Sequence, residues 1–339
     1  MAAFVTGAAG FVGLAVTEAL LMRGERVVGF DLSPVSEHAR RTFAGLPGRF
    51  EQVMGDICNA ESLKVALRRS DANCVLHLVA VTAGTSREIA DPVGVVRVNI
   101  GGVAATLEAV AACGIRRVLH LSSGSVYGAS GREVGSLTED TPLRPEQLYG
   151  ITKQAGEAVA LRLADLHRLD LSIGRLGTCF GRWEYATGAR DTPSAPYQIV
   201  QAARSGIPAI LPRSHLRDWL YARDAAAAVL ELLYARSRRH QVYNLAAGFM
   251  WSIADFCARL QQICPGFEWR FAQQGEPANI DYYAPYDRSA MAIERLRGDT
   301  AFLPRYNLDV ALADYLQWLG PAFDPIRGMP IPRHGGTPS

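Results

Sequence analysis

The amino-acid sequence predicts an α/β fold: a doubly wound parallel sheet followed by a smaller C-terminal domain. Three observations carry that expectation. Short apolar runs alternate with longer amphipathic ones through the first half of the chain. The short runs are too apolar for either face to meet water, the pattern of parallel strands covered by helices on both sides. After Leu176 the alternation stops, and residues 177–215 hold Gly, Pro, Arg and aromatics with little periodicity.

The strand candidates are, in order, AAFVT, RVVGF, RFEQVM, NCVLHLV, RRVLHLS and DLSIGRL, and helices are expected to begin near Phe11, Ala60, Pro92 and Leu148. Further on, RDAAAAVLELLYA (223–235) has the pattern of a helix and QVYNLA that of a strand, so the chain is expected to return to its sheet. Two more helices are expected in SIADFCARLQQIC and NLDVALADYLQWL. These signals divide the chain into a first domain of residues 1–176, rejoined by 216–247, and a second of 177–215 and 248–325. The tail, 326–339, is rich in Pro and Gly and is expected to be extended or flexible.

With 339 residues, 49% hydrophobic and 20% charged, the chain has ordinary globular composition and enough apolar material for a sizeable core. A net charge of +2 offers no electrostatic footprint for nucleic acid or an anionic membrane. The most basic run, ARSRRHQ at 235–241, follows the helical stretch, where cations complement a helix C-terminus. Six cysteines form no CxxC pair or ligand cluster, which predicts free thiols in a reducing compartment and no metal site. The sequence opens on a strand-like run rather than a signal peptide, and no uninterrupted apolar run is read as a membrane span. A cytoplasmic location is the expectation.

The segment TGAAGFVG places Gly7, Gly10 and Gly13 between the first strand and the first helix. Glycines there permit a tight turn and let the backbone approach a pyrophosphate at a helix N-terminus. Ala9, Phe11 and Val12, lying between them, are assigned to the same cradle. Asp31 closes the second strand, eighteen residues after Gly13, where a carboxylate can bind the adenosine ribose hydroxyls. Its neighbours Leu32 and Ser33 supply no arginine for a 2′-phosphate, so NAD rather than NADP is expected, with Leu32 beside the nucleoside. This context makes the predicted sheet a Rossmann-type one. Asp56 and Ile57 follow the third strand and could flank the adenine, although Asp56 also reads as a helix N-cap. Leu78, Val79 and Ala80 end the fourth strand over the crevice, with Thr82 just beyond. His77 reads as a packed strand residue. Asn99 lies on a long helix, where an interior hydrogen-bonded amide is the plain reading. Leu121 and Ser122 end the fifth strand and Leu176 the sixth, at the edge where open α/β sheets bind ligands.

Lysine occurs only at positions 64 and 153; every other basic residue counted with them is arginine. Lys153 follows Tyr149 by one helical turn, so the two side chains share a face. A nearby ammonium favours the phenolate over the phenol, and a tyrosine of lowered pKa is a general base for an alcohol. A surface Tyr/Lys neighbour pair is the plain alternative. The segment LSSGSVYG puts Ser122, Ser123 and Ser125 at the carboxyl end of a central strand, where a hydroxyl can orient a substrate alcohol and share its proton with a tyrosine.

Taken together, Gly7-x-x-Gly10-x-x-Gly13, Asp31, Asp56-Ile57, His77-Leu78, Asn99, Ser122-Ser123, Val126-Tyr127-Gly128 and Tyr149-x-x-x-Lys153 resemble the extended short-chain dehydrogenase/reductases. More narrowly, they resemble the NAD-dependent epimerase/dehydratase family. The likeness continues through LRDWLYARDAAAAVL (216–230) and VYNLAAG (242–248), and so spans about residues 2–320. It implies that Tyr149 is the catalytic base, that Lys153 holds the nicotinamide ribose and lowers the tyrosine pKa, and that Ser123 binds the reacting hydroxyl. It also implies that Asn99 belongs to the cofactor site. A sugar-like small molecule is the implied substrate and a homodimer through helices near 92–112 and 147–167 the implied assembly.

Departures from the family pattern refine the expectation. The sugar-nucleotide dehydratases of the family carry an acidic pair after the catalytic hydroxyl. Here Gly124 and Ser125 stand there, which disfavours dehydration. Thr178 occupies the place of an asparagine that contacts substrate in epimerases. Arg217 matches an arginine that meets the diphosphate, and a second diphosphate arginine is expected where GEPANI supplies Glu276. A carboxylate beside a diphosphate repels it, which moves weight toward a free sugar or sugar acid. The sequence reading therefore holds a sugar epimerase first, an NAD-dependent dehydrogenase of a free sugar or sugar acid second, and a non-catalytic NAD sensor third. The intact Ser123/Tyr149/Lys153 set argues against the sensor.

Overall fold

The computed structural model describes residues 1–185, 190–282 and 284–320. The expected tail, 326–339, lies outside the described residues. Five strands, β1 (Ala2–Thr6), β2 (Arg26–Asp31), β3 (Arg49–Met54), β4 (Cys74–His77) and β5 (Arg117–Ser123), begin the main sheet. The strands Asp170–Leu176 and Val242–Leu245 complete it, giving seven strands in the order Val242–Leu245, Asp170–Leu176, β5, β4, β1, β2, β3. All pairings in this sheet are parallel. The α/β, doubly wound reading of the sequence is therefore correct, and the strand at 242–245 closes the edge beside Asp170–Leu176.

Burial explains why periodicity exposed these strands. β4 is buried at all four positions, and β1 and β5 at all but their ends. Such strands need helices on both faces. One face carries α1 (Phe11–Met22) and, later in the chain, the helix Ala222–Tyr234, which pack on each other. The other carries α3 (Ala60–Ser70), α6 (Gly102–Ala112) and α7 (Leu148–His167). Between them run α2 (Glu37–Ala44) and two short helices, α4 (Thr85–Ala90) and α5 (Pro92–Val96), joined to α6 by one wide π turn, Arg97–Gly101. The stretch Pro92–Ala112 is long and apolar enough by length and composition to cross a membrane, which the sequence reading overlooked. Here α6 packs instead on α3 and α7.

Beyond the main sheet, residues 177–320 build a second apolar cluster around Phe180, Trp219, Tyr221, Trp251 and Phe256, whose rings meet mostly edge to face. This cluster carries the helices Ala195–Arg204, Ile253–Ile263 and Leu308–Leu319. Strand order reverses between β1 and β4, because the chain leaves β1 for β2 on one side and returns to β4 on the other. Loops at the carboxyl ends of β1 and β4 therefore diverge and open a crevice.

Candidate active site

A cavity of about 580 Å³ occupies that crevice. Its floor is the loop after β1. Gly7 adopts φ +72°, and an added Cβ would lie 2.8 Å from the backbone of Val79. At Gly13 an added Cβ would lie 1.9 Å from the Gly7 carbonyl oxygen. The loop closes on the helix more tightly than any side chain allows. The N-cap of α1 is Gly10, without a side-chain cap, so the first backbone N–H groups of the helix are left for an anion. At the end of β2, Asp31 accepts from the Ala9 amide with one oxygen (2.9 Å) and from the Ser33 amide with the other (3.1 Å). These bonds fix the carboxylate at the rim, with Leu32 exposed beside it. Asp56 and Ile57 line the same end of the cavity, and Asp56 accepts from the Cys58 amide at 2.9 Å.

Across the crevice, Leu78, Val79, Ala80 and Thr82 line the wall after β4, and Leu121, Ser122, Ser123 and Ser125 that after β5. Ser122 does not reach into the space with its hydroxyl; it donates to Glu157 at 2.5 Å, and Glu157 in turn takes Arg175 through both oxygens. Ser123 accepts from the Ser125 amide (3.1 Å) and donates to the Ser125 hydroxyl (3.2 Å). Tyr149 and Lys153 enter from α7, one turn apart. Ser123 and Thr82 flank the Tyr149 hydroxyl, close enough to favour its phenolate.

Two expectations about this end change. Lys153 Nζ donates to the Leu121 carbonyl at 2.5 Å, and its partners in the structure do not include Tyr149. Burial pushes the Tyr149 phenol above its ordinary value, against the opposing pull of Ser123, Thr82 and Arg190. The phenol is thus not pre-lowered by Lys153 in the chain alone. Burial lowers Lys153 to about 8, with Glu157 acting the other way. Asn99 is the second change, because it does not line the cavity. It is buried, accepts from the Val81 amide at 2.8 Å and donates to Val81 O and Thr152 Oγ1, both at 3.0 Å. It ties the loop after β4 to α7, and both N–H groups of its amide are taken up in doing so.

At the far end, Leu176, Thr178, Arg217 and Arg288 line the cavity, while Arg190, with its partner Glu184, lines it beside Thr82. Arg217 Nη1 donates to Thr178 Oγ1 at 3.3 Å. Arg217 and Arg288 are both buried, and among the described residues the Nε of each has no hydrogen-bond partner. Burial, followed by repulsion from Arg288, lowers Arg217 to about 10. Sequence reasoning put Glu276 in this region. The structure puts it elsewhere, half-buried and paired with Arg270 at 2.5 Å, outside the cavity. Arg288, which the sequence reading passed over, is a second arginine lining this end of the cavity. Glu184 was also missed. Its only signal was a charged residue beside Trp183 in an otherwise aperiodic stretch.

The sequence profile of the NAD dependent epimerase/dehydratase family matches residues 3–246. The chain belongs to that family. NAD is accordingly its cofactor, and the glycine loop, the uncapped start of α1 and the Asp31 carboxylate fit a dinucleotide. Among relatives, a dTDP-glucose 4,6-dehydratase of Streptomyces griseus is 28% identical over 326 residues, 93% of this chain and 92% of that one. UDP-glucuronate 4-epimerase 4 of Arabidopsis thaliana is 35% identical over 185 residues, covering 53% of this chain and 42% of its own. Among solved structures, MoeE5 in complex with UDP-glucuronic acid and NAD is 25% identical, with a TM-score of 0.77 over 94% of this chain and 99% of that one. As a member of this family, the chain is an enzyme of the NAD-dependent extended short-chain dehydrogenase/reductase type.

The glycine loop gives a direct test. Gly13→Ala sets a Cβ against backbone rather than a movable side chain, so the loop itself must shift. Overpacking of this kind costs ~1–3 kcal/mol, and NAD affinity is expected to fall ~10–100-fold. Intrinsic-fluorescence titration with NAD measures it. An unaltered affinity would place the dinucleotide away from this loop.

Proposed function

We propose that the protein is an NAD-dependent epimerase of a nucleotide sugar, acting on a secondary hydroxyl. The observation that carries the substrate class is the Arg217–Arg288 pair, two buried arginines that line one cavity and whose Nε atoms have no partner among the described residues. Like charges held this close call for an anion of more than one charge, and a diphosphate supplies it. Support for a free sugar or sugar acid rested on Glu276 and Thr178; Glu276 lies outside the cavity, while Thr178 lines it and bonds to Arg217.

The reaction type is supported by the two residues after Ser123. Gly124 leaves room that the Arg288 guanidinium fills, with Nη1 only 2.6 Å from where a Cβ would stand. Ser125 comes next. No carboxylic acid stands at these two positions to drive loss of water. Ser123 would orient the hydroxyl to be oxidised and Tyr149 would take its proton and later return it. Lys153 would add positive charge beside the phenol. NAD supplies the hydride acceptor and donor.

A homodimer fits the exposed apolar residues Ile89, Val93, Val96 and Ile151 on α4, α5 and α7, and six free cysteines fit a reducing, cytoplasmic setting. The experiment is incubation of the NAD-bound protein with UDP- and dTDP-hexoses and hexuronates, followed by chromatographic separation. An epimer without accumulating NADH is expected. A keto product that has lost water would mean a dehydratase, and NADH in step with product would mean a dehydrogenase.

A further inference from the structure

Three arginines line the cavity, and a diphosphate accounts for two. The third, Arg190, stands elsewhere in it. Its backbone pairs with Thr82, and Thr82 flanks the Tyr149 hydroxyl in the cavity wall. Its guanidinium is close enough to Tyr149 to favour the phenolate. Arg190 therefore belongs to the reacting end of the site rather than to the diphosphate end.

The residues around Arg190 hold it there. Glu184, 3% exposed, accepts from Arg190 Nη1 at 2.9 Å, from the Ser194 amide at 2.7 Å and from the Ser194 hydroxyl at 2.6 Å. The next residue, Asp191, accepts from the Gly84 amide at 2.8 Å and pairs with Arg87 at 2.7 Å. Burying a carboxylate in this way is costly, and such pairs are weak devices for stability alone. Their effect here is to fix a guanidinium whose other N–H groups, among the described residues, have no acceptor. A fork of that shape is matched by the two oxygens of a carboxylate.

We propose that Arg190 binds a carboxylate carried by the substrate next to the carbon that reacts at Tyr149, which makes the preferred substrate a sugar acid rather than a neutral sugar. The inference rests on Tyr149 being the reacting end of the cavity, and it deepens the substrate class without depending on the nucleotide. Position 190 then decides acid against neutral sugar, and Glu184 acts only as its positioning residue.

The test is calorimetric titration of the NAD-bound protein with two matched pairs, UDP-glucuronate against UDP-glucose and free glucuronate against glucose. Removing a charge-assisted contact of this kind changes affinity by about 10–100-fold, so the acid of at least one pair is expected to bind tenfold or more tightly. In Arg190→Met that ratio is expected to fall to near one, with NAD titration as the check on folding, and Arg190→Lys should keep part of it. Equal affinities within both pairs in the wild type would overturn the proposal without any variant. So would a preference that survives Arg190→Met. Acid preference among free sugars with no binding of either UDP-sugar would uphold Arg190 and remove the nucleotide from the proposed function.

Discussion

Tyr149→Phe is expected to lower turnover by ~10²–10⁴-fold while NAD still binds, the range that a positioned acid–base group contributes. The substitution removes one oxygen and keeps the ring, so the packing of α7 against the sheet is preserved. What is lost is the hydroxyl that Ser123 and Thr82 flank in the cavity wall. The pH dependence arises from the same surroundings. Because burial holds the Tyr149 phenol above its ordinary value, the phenolate fraction grows as pH rises, and the rate should climb with it. Lys153 works in the opposite sense. Its ammonium is lowered to about 8, so charge beside the phenol is lost as pH rises through that value. The wild-type rate should therefore rise and then level or fall above about pH 8. Steady-state rates across pH, with the best substrate found, check both statements. Full activity in the Phe variant would remove Tyr149 from the chemistry.

The parts of this molecule that were legible in the sequence are the local ones. A strand that is buried on both faces reads as a short apolar run, and the loop after it is tied to the strand by a few residues. Gly7, Asp31, Leu78 and Ser123 could therefore be assigned to one edge of the sheet from spacing alone. Asn99 shows the limit of that reasoning. An amide inside an apolar helix is visibly unusual, yet only the structure reveals that Val81 and Thr152 are its partners. The cavity wall contributed by residues beyond 177 was hardest to read. Arg288 reaches Gly124 and Asp218 from far along the chain, and no period or spacing ties those positions together. Counting along the chain to a motif put Glu276 in its place. Arg270 takes up that carboxylate instead, through two bonds of 2.6 and 2.5 Å.

The Arg217→Met/Arg288→Met double variant is expected to lose nucleoside diphosphate binding by ~10²–10⁴-fold, since each charge-assisted bond contributes ~1.5–3 kcal/mol and two are removed. Each single variant should lose ~10–100-fold on the same basis. The two guanidinium groups repel each other, an effect second to burial in lowering Arg217, and the buried Asp218 pairs with Arg288 at 3.4 Å. A bound diphosphate would relieve the repulsion and satisfy both orphaned Nε atoms, so the site gains more from a dianion than from a single carboxylate. Removing both arginines leaves Asp218 with the Met291 amide as its remaining partner, at 2.9 Å, and some stability will be lost with them. NAD titration of the double variant, whose glycine loop and Asp31 lie at the other end of the cavity, separates that loss from a specific effect. The measurement is calorimetry with UDP, dTDP and GDP at low and moderate salt. Wild-type affinity should fall as salt rises, because screening weakens the attraction the two charges provide. Equal binding by the wild type and the double variant would mean that the arginines face something other than a diphosphate. In that case the carboxylate at Arg190 would be the substrate's only anion, and the chain would act on a free sugar acid.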